Sequence, residues 1–439
     1  MPLSVTPGNH GPSTLLLGLF TPDGTLNFVD LTNNFQGIVI SSSIHSPNIS
    51  CQLRINDPAD LLGQLKITGE EVIVCTWQTP NFDQSKPAHK ERLACFRLSR
   101  IDNVTIDKET NKVQSYNLSG VHELAYVQQF ASVDNFFSGT ISDAAKKVFD
   151  KALNKADELG TSIFYPKKCK FTVDETDGVN DFTIPSETPF DTMSYLQSWA
   201  QDTGDFNTNL FLFYQDLEGY NFRNLDNLVM ETYPAGRDHH TYRYDPIVKR
   251  RGVVNPLKAE EILQIKQVSR FNAYKHASDG NLHTSVATVD YLAKSVERTD
   301  LKYELDKAVP GPAGTLYPVD KDYLEKFAKE SNSTDWLYVN KGLPNFIDSS
   351  DSHLKKKVLG TIFFNNIVQI VIPGNSSLDV GEVLRINTFR PNIQSSLGSV
   401  SEEDKDISGN YLIKDILHDL KGDSYYQVIT LCRTGKEPY

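Results

Sequence analysis

Long apolar runs are missing from this 439-residue chain. Stretches such as Leu15–Phe20 (LLLGLF) fall far short of the roughly 18 residues that a bilayer-spanning helix requires. The N-terminal MPLSVTPGNHGPS has no basic segment leading into an apolar core, so no secretory signal is expected and a soluble, unprocessed protein is. Cysteine is scarce and unpatterned. Cys51, Cys75, Cys95, Cys169 and Cys432 form an odd set without CxxC or CxxH spacing, which argues against a disulfide framework or a zinc site. Most sit inside apolar runs, as small core hydrophobes made in a reducing compartment do. Positive charge is thin too. The net charge is −12, and the basic clusters Lys167–Lys170, Lys249–Arg251 and Lys355–Lys357 are short enough to be solvated turns. Specific nucleic-acid binding, which needs clustered Lys or Arg, is not expected.

Catalytic signatures are absent as well. There is no GxSxG elbow, no HExxH and no GxxxxGK[ST] phosphate loop. In Asp238-His239-His240, adjacent strand histidines would point to opposite faces, so a shared metal is awkward. His276 and His283 merely flank a turn. The acidic pairs Glu70-Glu71, Glu260-Glu261 and Glu402–Asp404 offer two carboxylates by count alone, which is not the cleft geometry of a glycosidase. No catalytic residue, cofactor or metal is expected.

What the chain does have is β character. It carries 19 Tyr and 23 Phe against 3 Met, with 39% hydrophobic and 23% charged residues. That is a folded globular composition leaning towards strands. Residues 1–130 read as short strands broken by one helical turn at Ala59–Leu65, with Pro58 at its first position and Asp57 as its cap. The spacing over 131–232 switches to helical: Ile141, Ala144, Ala145, Val148, Phe149 and Leu153 share a face, and a second helix starts near Thr188-Pro189. A hairpin with its turn at Asp216–Gly219 follows. Strands return over 233–285 and 350–439. A polar, Pro/Gly-rich insertion at 286–349 carries a brief helix at Lys321–Lys329. Two features call for a use: the long polar stretch Arg390–Gly409, and the C-terminal hairpin. In that hairpin Tyr411–Leu420 and Tyr425–Arg433 flank a turn at Lys421–Asp423, and both faces of the second strand are largely apolar or aromatic. No short internal repeat stands out.

Four passages in this order resemble the baseplate hub protein of contractile-tailed bacteriophages, the T4-like hub family. They are Ile55–Val74 (INDPADLLGQLKITGEEVIV), Pro189–Val229, Gly381–Phe389 (GEVLRINTF) and Ile407–Gly435. In the last, Gly409, Tyr411, Ile413, His418, Tyr426, Leu431 and Arg433 occupy the positions of the family's terminal hairpin; strand alternation reads His418 itself as a packed histidine. The resemblance implies a mainly β fold with an α+β lobe. Two tail-tube-like antiparallel β-barrels carry inserted α/β segments and assemble as a ring. It implies a homotrimer whose six barrels join a hexameric tail tube to a trimeric central spike. Further implied partners are a tube-initiator protein, baseplate wedge proteins and the tape-measure protein. DNA would pass through a lumen whose acidity keeps phosphates from sticking, with no membrane span. The location is the virion baseplate, after synthesis in the host cytoplasm.

On that reading the terminal hairpin packs one face into its own barrel and the other against a neighbour. The expected ring contacts are Val72, Val74 and Trp77; Phe363, Val368 and Ile370; and Tyr411, Ile413, Tyr425, Tyr426, Ile429 and Leu431. The 390–409 stretch is the expected dock for tube or spike. The alternatives are a receptor- or glycan-binding tail protein, which would bind cells in isolation, and a cell-wall hydrolase, which would cleave purified peptidoglycan.

Overall fold

The computed structural model describes residues 14–20, 26–65, 67, 69, 71–79, 92–106, 114–158, 169–202, 209–232, 240–244, 260–269, 283–290, 292–302, 333–339, 352, 356, 360, 363–364, 366–389, 403–404, 406–422 and 424–433. The expected helix at Lys321–Lys329 and most of the 390–409 stretch lie outside them.

The N-terminal strands are β1 (Thr14–Phe20), β2 (Leu26–Asp30), β3 (Phe35–Ser43), β4 (Ser50–Asp57), β5 (Val72–Trp77), β6 (Arg92–Ile106) and β7 (Gln114–His122), with α1 (Leu61–Gln64) after β4. The helical turn begins later than expected: Asp60, in the left-handed region, is its N-cap without a side-chain bond, while the Asp57 carboxylate ahead of it accepts from the amides of Ala59 and Leu62. The α+β lobe comprises α2 (Glu123–Val127), β8 (Val133–Gly139), α3 (Ile141–Glu158), β9 (Lys170–Val173), β10 (Asn180–Glu187), α4 (Pro189–Trp199), β11 (Phe211–Gln215), β12 (Gly219–Asn224) and α5 (Leu225–Thr232). Thr188 caps α4, with Pro189 in its first turn. At the other end the Lys356 ammonium donates to the carbonyls of Ser198 and Ala200, where the helix dipole is negative. β11 and β12 meet at the expected Asp216–Gly219 turn.

Then come β13 (Thr241–Tyr244), β14 (Gln264–Ser269), β15 (His283–Asp290), β16 (Ser295–Lys302), β17 (Ser333–Val339), β18 (Asn366–Pro373), β19 (Val383–Thr388), β20 (Gly409–Lys421) and β21 (Ser424–Arg433). Within the insertion, β15 pairs β16 antiparallel and β17 parallel, a small sheet in place of irregular chain. The run before β18 is not strand throughout: Phe364 donates to the Gly360 carbonyl in a helical turn, and extended pairing begins at Asn366.

Two like sets of strands dominate. β3, β4, β5, β6 and β7 lie in the order β3-β4-β7-β6-β5, and β14, β18, β19, β20 and β21 lie in the matching order β14-β18-β21-β20-β19. The match extends to detail. A left-handed glycine, Gly69 (φ 101°) or Gly381 (φ 84°), comes just before the third strand of each set. The fourth strand then bulges: β6 shifts register between Leu98 and Arg100, β20 between Ile413 and Asp415. Just before each bulge an amide, of Leu98 or of Ile413, donates to the carbonyl of Glu71 or of Glu382, both at 2.8 Å. The repeat is therefore one of topology, with no short sequence repeat to mark it.

The two sets share one sheet. β20 pairs β21 along one edge. Along the other it pairs β19 through Gly409–Leu412, then β3 through Asp415–Leu420. The ladders alone leave the sheet open, but in the second set Arg243 of β13 bridges Glu261 just ahead of β14, with the Arg243 amide donating to the Glu260 carbonyl and the Ile262 amide to that of Arg243, so that set returns on itself there. The second half of β20 spends its hydrogen bonds on the other set, which joins the two.

The packing follows the sheet. One core gathers Leu15, Ile38, Leu53, Trp77, Phe96 and Leu118 with Leu420 and Tyr425 from the terminal hairpin. A second gathers Ile370, Ile386, Tyr411, Ile416 and Ile429 with Leu212 and Leu228 of the lobe. A third lies inside the lobe around Phe149, Phe190, Phe213 and Tyr220. The hairpin's buried face thus spans two cores of its own chain.

Leu420 tests this arrangement, because it belongs to a C-terminal strand but packs in the N-terminal core. Leu420→Ala should cost about 2–5 kcal/mol and lower a single shared unfolding transition, read by calorimetry. Two resolved transitions of which only one moves would show that the sets unfold independently.

Candidate assembly face and the polar seam behind it

Strand alternation sends every second residue of the shared sheet to its outer side. From β18 to β7 these are Gln369 and Val371; Tyr426, Val428 and Thr430; Asp415, Leu417 and Asp419; Val39, Ser41 and Ser43; Gln52 and Arg54; Ser115, Asn117 and Ser119. All are half-buried or exposed. Two shallow hollows lie along it. One is bordered by Val39, Gln52, Arg54, Asn103, Asn117 and Asp419, the other by Ser41, Ser43, Gln369, Asp415, Leu417 and Thr430.

The face is rich in hydroxyls and amides, and its charges are matched. Asp419 lies 2.6 Å from Lys421 and Asp415 lies 3.4 Å from Lys414. Asp415 also takes the Ser43 hydroxyl across the β20:β3 ladder. Among the residues bordering the hollows, Arg54 and Lys421 balance Asp415 and Asp419. The protein's net negative charge is not concentrated here.

Behind the face runs a polar seam that holds the loop after β18. Gln427 is fully buried and grips that loop from both sides: its amide oxygen accepts from Asn375 N–H at 2.8 Å, and its NH2 donates to the Asn375 carbonyl at 2.9 Å. Asn375 donates onward to the Tyr242 hydroxyl. His418 is buried beside Gln427, its Nδ1 accepting from the Tyr425 hydroxyl at 2.8 Å and from Gln427 at 3.3 Å. Burial, reinforced by the charge of Arg92, pushes the imidazole down to about 3 and keeps it neutral. The ring packs edge-on to Trp77 at 5.6 Å. A packed strand histidine is what this describes.

Arg92 closes the seam from β6. Its guanidinium donates to the Ser376 carbonyl at 2.6 Å and stands 3.7 Å from Asp379 and 3.9 Å from Glu218. Asp379 accepts from the amide of Leu217 in the lobe's turn, and its own amide donates to Glu382. Three parts of the chain therefore meet on one cation. Carboxylates outnumber it: Asp379 is buried, Asp216 and Glu382 are half-buried and Glu218 is exposed. Desolvation first, then their mutual repulsion, raises Asp379 and lifts Glu382 to about 7. For Asp216 burial outweighs its hydrogen bonds, and its carboxyl is raised too.

The expected ring contacts need correction. Val72, Trp77, Val368, Ile370, Tyr411, Ile413, Tyr425, Ile429 and Leu431 are at most 1% exposed within the single chain. A side chain with no accessible surface has none to bury against a neighbour. Val74, Phe363 and Tyr426 are half-buried and retain some. Tyr426 lies on the outer face opposite Asp419. Val74 lies on the outer side of β5 opposite Leu16 and Cys95. Phe363 packs on Phe364 and the second core. Arg92, Asp379, Glu382, Asn375 and Gln427 escape sequence reading, because no local pattern marks residues that meet from distant segments. His240 approaches Ser377 at 3.4 Å, and among the described residues no group of three His, Cys, Asp or Glu side chains converges as a metal site. No described helix is long and apolar enough to cross a membrane.

No protein-family model and no curated protein matches this sequence. Solved structures do. A tail protein from Neisseria meningitidis MC58 is similar at a TM-score of 0.50 and 9% identity, over 97% of this chain and 98% of that one. The 43 kDa tail protein of prophage MuSo2 from Shewanella oneidensis is similar at a TM-score of 0.50 and 10% identity, over 96% and 98%. The likeness runs through the whole of all three chains, and it establishes a shared fold.

Glu382 gives the seam a pH signature. Its carboxyl is raised in the folded chain, so the stability tied to its neutral form is complete below about 4.5 and is lost as pH rises through about 7. Buried His418 acts the opposite way, losing stability as pH falls below its ordinary value, so the informative quantity is a difference. Glu382→Gln should melt higher than wild type above pH 7, by at most roughly 3 kcal/mol, and the gap should close towards pH 4.5. A gap that does not vary with pH would mean that Glu382 does not titrate in the seam.

Proposed function

We propose that this chain is a non-enzymatic structural component of a phage tail baseplate, a hub that joins a sixfold tail tube to a threefold spike. Three copies make a ring of six like units, and DNA passes through the lumen. The observation that carries this reading is the tandem of two strand sets joined head-to-tail by the β20:β3 ladder. A head-to-tail contact is heterologous, and repeating it gives a closed ring when the rotation fits. A trimer of a two-unit chain is the simplest object that offers threefold symmetry to one partner and near-sixfold symmetry to another. The fold shared with two tail proteins supports the same reading.

The outer face suits a lumen wall. Hydroxyls, amides and matched charges give DNA phosphates no cationic patch to hold. The lobe and the outer side of the β1–β5 strands are left for the wedge, tape-measure and other tail proteins. Such a protein resides in the virion baseplate after synthesis in the host.

Sedimentation equilibrium of the purified chain, with and without the spike partner, tests the proposal. A species at three times 49.3 kDa, roughly 148 kDa, is expected in at least one condition. A monomer in both would overturn the ring.

A further inference from the structure

The repeat makes a demand that a single chain does not meet. Inside the chain, the second half of the fourth strand of one set (β20) pairs with the first strand of the other set (β3). The counterpart contact would join the second half of β6 to β14. Neither edge is occupied among the described residues. β5 covers β6 only through Arg92–Arg97, while β7 pairs it on the other side as far as Ile106. Gln264–Ser269 of β14 pair β18 alone, and β13 meets that side only just ahead of the strand, at Glu260–Ile262.

We infer that, in the ring proposed above, β14 of one copy pairs antiparallel with the Arg100–Ile106 half of β6 of the next. This rests on the ring reading and names the surface that closes it. The occupant of each edge is a second copy, because the contact continues one the chain already makes between its own two sets.

The register follows from the matched bulges. Ile413 and Leu98 both precede the bulge, so Asp415, Ile416 and Leu417 correspond to Arg100, Ile101 and Asp102. On the other side, Ile40 pairs Cys51, which pairs Gly120; Gln267 pairs Val368, which pairs Leu431. Gly120 and Leu431 face Leu98 and Ile413, so Ile40 corresponds to Gln267, and beyond the β14 bulge Ser41 corresponds to Ser269. Leu417 faces Ser41 within the chain. Asp102 should therefore face Ser269 between chains.

The exposure of both strands agrees. Nearly all of β14 is exposed or half-buried on both faces, Val268 at 52%. Val104 on β6 is 50% exposed. A strand with a bare edge and exposed apolar side chains is an invitation to pairing, and proteins usually blunt it. Here the edge carries neither proline nor a cluster of like charge, and Lys266 is its lone charged residue. β2 is a bare edge as well, but it has no counterpart in the repeat. β1 lies antiparallel on β5, whereas β13 lies parallel on β19.

Asp102→Cys with Ser269→Cys in one chain tests the register. Within a chain the two positions lie on opposite margins of the sheet, so a disulfide between them must link copies. Mild oxidation should give covalent multimers on non-reducing gels that neither single variant gives, and reductant should collapse them to the 49.3 kDa chain. In parallel, amide exchange at Gln264–Ser269 should slow in the assembly relative to the dissociated chain. An assembly of trimer mass that neither cross-links nor protects those amides would overturn this interface and leave the ring standing. A chain that stays monomeric would overturn both.

Discussion

The structure depends on how one strand spends its hydrogen bonds. β20 is thirteen residues long and pairs β21 along one edge from Leu412 to Lys421. It divides the other between β19 and β3, with the bulge at Ile413–Asp415 marking the change of partner. Backbone groups inside a sheet must be paired. An undivided β20 would leave either β19 or β3 with a bare edge in the interior. From that division follow the merged sheet, the contribution of Leu420 and Tyr425 to a core otherwise built by the first half of the chain, and the position of the terminal hairpin astride both.

The polar seam is the second consequence. Where two sheets merge, the loop after β18 is trapped under the hairpin and its backbone needs partners away from water. Gln427, the Thr79 hydroxyl and Arg92 provide them, from β21, just past the end of β5 and the start of β6. A buried charge is tolerated only if it is answered, so the Arg92 guanidinium draws Asp379, and Asp379 in turn holds the lobe's turn at Leu217. The lobe is thus tied to both strand sets at one place. Its helices pack mainly on its own core.

Much of this was legible in the sequence because it is local. Thr188-Pro189 starts α4 and Asp216–Gly219 reverses β11 into β12, each through chemistry confined to a few residues, whereas α1 starts at Leu61 after Asp60 rather than at Pro58 after Asp57. The resemblance to the hub family anticipated a mainly β chain with an α+β lobe. What stayed hidden is non-local. Apolar and aromatic residues on both faces of Tyr425–Leu431 say that the strand is covered but not by what, so residues of the chain's own cores read as contacts with a neighbour. The repeat, implied by the resemblance to two tube-like units, leaves no mark in the residues themselves because β pairing asks only for alternation and a permissive bend. Gly69 and Gly381 share a left-handed conformation, while the strands around them share little sequence.

Joining two like units in one polypeptide also removes a constraint that identical subunits obey. Positions equivalent by topology are encoded separately and are free to diverge. Val74 and Cys95 lie side by side on the outer side of β5 and β6, and their counterparts on β19 and β20 are Arg385 and Asn410. One unit therefore shows an oily patch where its twin shows a guanidinium and an amide. Any protein that touches this surface can distinguish the twins: a chain that repeats itself in its backbone does not repeat itself in its side chains.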